Sequence, residues 1–222
     1  MNTLALSTHH AKVNDYYHST ALDYWVFWLN RKNLGIHFGY WDETIQTQHQ
    51  SLLKLNEVLA KRATVKKEDR VLDAGCGYGG SLLWLADNVG CSGVGVSIVD
   101  FHTARARKNA KARKIDDRVQ FMTQDFAATE FPDESFDVFW AIESVVHAPD
   151  KDKVVAEAYR LLRPGGRLIM AEYISEREAF DDEIKRKIRE WQDAWAMPAF
   201  FTRGGISMPW RMLDFVISKY AT

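Results

Sequence analysis

The 222-residue chain balances 29 Lys and Arg against 30 Asp and Glu, and a net charge of −1 leaves no basic footprint for nucleic acid or an anionic membrane surface. Its 46% hydrophobic and 27% charged residues suit one soluble globular domain, and no apolar run reaches the ~20 residues of a membrane span. Two cysteines, Cys76 and Cys91, cannot build a disulfide framework, and the opening MNTLALSTHHAKVND lacks the basic start and apolar run of a secretory leader, so a cytoplasmic location is expected.

In chain order, an N-terminal helical region (1–62) precedes a strand–helix alternating core (63–175) and a helical tail (176–222), all in one structural domain. Between Thr44 and Arg62, Ile45, Gln48, Leu52, Leu55 and Leu59 recur at helical spacing and predict an amphipathic helix. Short apolar runs predict strands at 70–74, 92–96, 119–123, 136–142 and 167–173, with helices at 79–89, 101–114 and 150–162 between them. Asp150 is placed to cap the last of these helices, and Pro164-Gly165-Gly166 to stop it. This alternation with short connections predicts an α/β fold, a parallel sheet with helices on both faces. Such sheets bind ligands beyond the C-terminal ends of their strands, which here means residues 73–81, 97–100, 124–126 and 143–147.

The loop Val71-Leu72-Asp73-Ala74-Gly75-Cys76-Gly77-Tyr78-Gly79-Gly80 leaves a strand and opens a helix, where glycines permit positive φ and close ligand approach. Its spacing fits two patterns: Gly75, Gly77 and Gly80 match a dinucleotide loop, and Gly75, Gly77 and Gly79 match an S-adenosylmethionine loop. Asp73 would repel a pyrophosphate but suits an ammonium group. The second strand also ends in Val96-Ser97, without the acidic residue that grips a nicotinamide ribose. An NAD(P)-dependent oxidoreductase is therefore the weaker reading.

This loop resembles motif I of the class I S-adenosylmethionine-dependent methyltransferases, and further matches follow in order. Gln124-Asp125-Phe126 resembles their adenine-binding acidic motif, residues 131–137 (FPDESFD) their approach to strand four, and residues 161–168 (LLRPGGRL) their post-III motif. GGSLLWLA and WAIESVVHAPDK are similar to the tocopherol and sterol methyltransferases, as is the segment Leu34–Asp42 that closes over the cofactor in that group. The resemblance implies a Rossmann-like core and S-adenosylmethionine as methyl donor, with residues 1–62 as a cap over the cofactor and a small-molecule acceptor.

It also implies site residues. Asp73, Gly75, Cys76 and Gly77 would hold the cofactor's amino-acid end, with Ser81 at its carboxylate near a helix N-terminus. Ser97 and Asp100 would lie at the ribose, and Asp125 and Phe126 at adenine, although Asp125 could instead cap a helix. Tyr17 and Trp41 would come from the N-terminal cap. For proton removal from the acceptor, Glu143 is the first candidate and His147 the second, both just past strand four; an ion-pair role for Glu143 and a structural hydrogen bond for His147 are the alternatives. No ligand cluster suggests a metal.

Tyr16, Tyr17, Tyr24, Trp25, Phe27 and Trp28 crowd the N-terminal region, and Trp191, Trp195, Phe200 and Phe201 the tail, where Ile184, Ile188, Trp191 and Trp195 share a helical face. Core packing explains many of them. Aromatic walls also shield a cation and point to a hydrophobic acceptor, isoprenoid or aromatic. Arg105, Arg107, Lys108, Lys111, Arg113 and Lys114 read as a solvated helix face.

The tail departs from the methyltransferase pattern. Residues 203–209 do not read as the expected helix and strand entry, and 211–220 offers one strand at best, around Phe215–Ser218, so the final strand pair looks shortened or missing. A partner copy or the tail itself is then expected to cover the edge of strand five. A catalytically silent cofactor-binding protein is the alternative function.

Overall fold

The computed structural model describes residues 3–30, 32–175, 181–198 and 201–202. Helix α1 (Thr3–Asp23) runs into a π-helical turn, Tyr24–Trp28, and is followed by α2 (Gln48–Arg62). The core then alternates β1 (Arg70–Ala74), α3 (Gly80–Asn88), β2 (Ser92–Ser97), α4 (Asp100–Arg113), β3 (Val119–Thr123), β4 (Phe136–Ile142), α5 (Lys151–Leu161) and β5 (Leu162–Ala171). Beyond it lie β6 (Ile174–Ser175), α6 (Asp182–Ala194) and β7 (Phe201–Thr202). Among the described residues no helix is long and apolar enough to cross a membrane.

The five core strands form one parallel sheet in the order β3-β2-β1-β4-β5, the α/β architecture that the strand–helix alternation predicts. Successive residues of a strand point to opposite faces, and the buried clusters follow that rule. Val71, Val138, Trp140 and Ile169 pack with Leu55, Leu59, Leu82, Leu83, Leu85 and Ala106, the inner faces of α2, α3 and α4. Leu72, Phe139 and Leu168 face the other way, onto Val154, Ala158 and Leu161 of α5. Fully burying each such large side chain contributes about 1.5–3 kcal/mol.

Two element starts are displaced from the sequence pattern. Helix α2 starts at Gln48 because Thr44 is taken by a turn, its N–H and hydroxyl both donating to the Asp42 carboxylate. Thr47 and Gln50 then form a capping box that sets the true start. Strand β5 begins at Leu162, paired with Phe136, where 167 was expected. Pro164-Gly165-Gly166 form an irregularity inside it, with Gly165 at φ 79°, before Val138 and Arg167 resume the register.

Beyond β5, α6 is capped by Asp181, and β7 pairs in parallel with β6 in a two-stranded ladder that the sequence pattern did not predict. Strand β5 is an edge of the five-stranded sheet. Phe200 and the expectations for 203–209, 211–220 and Phe215–Ser218 lie outside the described residues.

Candidate active site

At the C-terminal end of the central strand β1, the chain turns through the glycine loop. Gly75 has φ 86° and Gly77 φ 48°, and the N–H groups of Gly75 and Cys76 both donate to the Val96 carbonyl, tying the loop to β2. A Cβ on Gly75 would lie 2.2 Å from Ser144 Cβ, so the loop and the turn after β4 touch with no room for a side chain. Asp73 is 3% exposed, and its Oδ2 is buried without a hydrogen-bond partner. Burial pushes its carboxyl up to about 7, against the pull of the Leu82 N–H. A buried carboxylate oxygen left unpaired is unfavourable by itself and suits a cationic ligand group such as an ammonium. Ser81, in the first turn of α3, is buried beside it.

These residues line an open cleft of about 1310 Å³ counted out to its mouth. The structure brings Tyr17, Asp73, Gly75, Cys76, Gly77, Ser81, Ser97, Asp125, Phe126, Glu143 and His147 into its wall. Asp100 and Trp41 are not brought there. The Asp100 carboxylate is 78% exposed at the start of α4, within 3.9 Å of His18, and its Oδ1 accepts from the Phe101 N–H. Trp41 is 53% exposed. Ser97 accepts from the Val99 N–H, which shapes the turn into α4. His102, 3% exposed, faces the cleft instead, its ring packed on Tyr17, Tyr78 and Phe101.

Asp125 caps no helix. One of its oxygens accepts from the Ala127 N–H in a turn, and the other lies 3.2 Å from His10 Nε2 of α1. Helix α1 thus roofs the cleft through His9, His10, Val13 and Tyr17.

Past β4, Glu143 has φ 48°, a left-handed conformation that costs a non-glycine residue on the order of 1–3 kcal/mol and commonly marks a functional site. Its carboxylate accepts from the Tyr173 hydroxyl at 2.8 Å and the Phe38 N–H at 3.0 Å. Burial raises its pKa to about 7, although both hydrogen bonds oppose that. His147 is differently placed. Its Nδ1 lies 3.2 Å from the Ala196 carbonyl and its Nε2 3.0 Å from the Tyr17 hydroxyl, and burial lowers its pKa to about 4. With Nδ1–H donating to the carbonyl, Nε2 accepts from Tyr17. Both nitrogens are engaged, so the ring is not free to take a proton from an acceptor.

The two residues that donate to Glu143, Phe38 and Tyr173, belong to a closed aromatic circuit. Phe38, Trp28, Tyr24, Tyr16, Trp195, Trp191 and Tyr173 follow one another with ring centroids 5.3–6.5 Å apart, and Tyr173 returns to Phe38. These are edge-to-face and tilted contacts, the geometry aromatic rings prefer. The sequence pattern marked five of the seven as crowded aromatics but did not mark Phe38, Tyr173 or the buried Glu172. Extending the C-terminal-end rule to the fifth strand would have found Glu172 and Tyr173 directly after Ala171.

Residues 72–170 match a family model described as a methyltransferase domain. That stretch, with its five-stranded parallel sheet, is what the chain has in common with methyltransferase domains. A 27-O-demethylrifamycin SV methyltransferase from Amycolatopsis mediterranei (strain S699) is 38% identical over 140 residues, 63% of this chain and 52% of that protein. A sterol 24-C-methyltransferase from Debaryomyces hansenii is 31% identical over 174 residues, 78% of this chain and 45% of that one. Among solved structures, the [4+2]-cyclase SpnF superimposes with a TM-score of 0.61 at 32% identity, covering 65% of this chain and 53% of its own. The chain therefore spans about half the length of these relatives.

Proposed function

We propose that this chain transfers the methyl group of S-adenosylmethionine to a small hydrophobic acceptor. The observation that carries the reading is the buried Asp73 carboxylate at the end of β1, whose Oδ2 has no hydrogen-bond partner, in the same cleft as Glu143. Asp73 receives the donor's ammonium, Gly75 and Gly77 give its backbone close access, and Asp125 and Phe126 flank the adenine. The donor supplies an activated methyl group on a sulfonium. What remains for the chain's own residues is alignment, and an oriented attack can supply about 7–11 kcal/mol of the barrier.

Glu143 takes the proton that the acceptor loses. It is hydrogen-bonded, half-buried and near neutral pKa, the condition of an effective general base. His147 holds the Tyr17 hydroxyl in place rather than acting as a base. The circuit of seven aromatic rings that meets Glu143 through Phe38 and Tyr173 favours an apolar acceptor, isoprenoid or aromatic, and would shield positive charge by cation–π attraction. Relatives named for a sterol and for a rifamycin support the same class.

A second reading has a specific observation behind it. One relative with the same fold is named as a [4+2]-cyclase, so this fold also serves chemistry other than methyl transfer. Calorimetric titration with S-adenosylhomocysteine, with Asp73→Ala and NADH as controls, tests the first step. Binding lost in the variant, with no NADH binding, supports the donor; labelled-methyl transfer to hydrophobic acceptors then tests turnover. Binding without transfer would favour the second reading, and no binding by a folded wild-type protein would sink both.

A further inference from the structure

Glu172 follows β5, is 3% exposed, and is held by backbone N–H groups. Its Oε1 accepts from the N–H groups of Ser144 at 2.9 Å and Val145 at 2.7 Å, and its Oε2 from Val146 at 3.3 Å. Three consecutive backbone donors thus converge on one buried carboxylate, and they belong to the turn between Glu143 and His147. The same turn is fixed from its other side. The Ser144 hydroxyl donates to the Ala74 carbonyl at 2.6 Å, and Ser144 Cβ fills the space that Gly75 leaves open.

We infer that Glu172 is a positioning residue whose carboxylate clamps the turn carrying Glu143 and locks it to the glycine loop. The inference rests on the reading of Glu143 as the base. A left-handed residue persists only where its surroundings over-determine it, and here they do. Glu143 donates its N–H to the Ala171 carbonyl at 2.8 Å, and the next three N–H groups all meet Glu172. One side chain thereby fixes the offset between the donor's binding loop and the group that takes the acceptor's proton.

Two variants of the full chain test this. Glu172→Gln keeps the shape but cannot accept with its amide nitrogen, and Glu172→Asp keeps the charge but gives up reach. In the Gln variant, amide exchange at Ser144–Val146 is expected to quicken by about tenfold while α5 stays as in the wild type. S-adenosylhomocysteine affinity should change by less than about threefold, and KM likewise, whereas kcat falls by about thirtyfold or more. The Asp variant should fall between, and it carries the exchange test if the Gln variant does not fold. Unchanged exchange at 144–146, or quickening spread evenly over the domain, would overturn the clamp. Absence of methyl transfer by the wild type would overturn the functional reading alone, because the exchange experiment still decides the clamp.

Discussion

Asp73 combines two demands that conflict until a ligand arrives. Burial holds its proton up to about 7, against ~3.9 for a free Asp carboxyl, so the folded empty protein prefers it neutral. A raised carboxyl pKa works against folding as pH climbs: this contribution is favourable below ~4 and is lost progressively up to about 7. Asp73→Asn should accordingly melt higher than wild type at pH 8, by roughly 5 °C, and equal it near pH 4 in scanning calorimetry. The same variant should bind S-adenosylhomocysteine more weakly by about 1.5–3 kcal/mol, measured by titration calorimetry. In the wild type, affinity should weaken by up to about tenfold per pH unit below 7, since the ammonium then has to expel a proton.

Glu143 gives a matching kinetic expectation. The base form is the carboxylate, so methyl transfer should rise with pH through about 7, and Glu143→Gln should lose about 10²–10⁴-fold in kcat with donor affinity kept. The glycine loop and Glu143 were legible from motif spacing and strand position. The engagement of both His147 nitrogens was not, because Tyr17 and Ala196 reach it from segments distant in sequence.

At the scale of elements, the strands of the core were readable because a buried parallel strand is a short apolar run bounded by turns. Helix α1 was less so. Its cleft-facing residues include His9, His10 and Tyr17, so its inward face is polar and carries no clean apolar stripe. Side-chain competition set the other misplaced boundary, where Asp42 takes up Thr44 and Thr47 opens α2. Thr47→Ala removes half of that capping box and should lower stability by about 1 kcal/mol in urea unfolding, with donor binding unaltered.

For the whole molecule, the cleft and the aromatic circuit come from different sources. The sheet's C-terminal edge supplies the proposed donor site, whose motifs follow one another along the core. The aromatic circuit, where the proposed acceptor would sit, is assembled from α1, the π-helical turn, the loop at Phe38, the end of β5 and the region of α6, which no local pattern links. Because α1 roofs the cleft and His10 reaches Asp125, a donor analogue should slow amide exchange along residues 9–17 by roughly tenfold, as hydrogen exchange would show.

Three of the eight tryptophans, Trp28, Trp191 and Trp195, stand in the aromatic circuit, and among the described residues no tryptophan lines the cleft where the donor is proposed to bind. Intrinsic emission is therefore a built-in optical reporter. An apolar acceptor that displaces water beside these indoles shifts their fluorescence to the blue, whereas occupancy of the proposed donor site leaves it nearly unchanged, so acceptors can be screened by light alone before any product is sought.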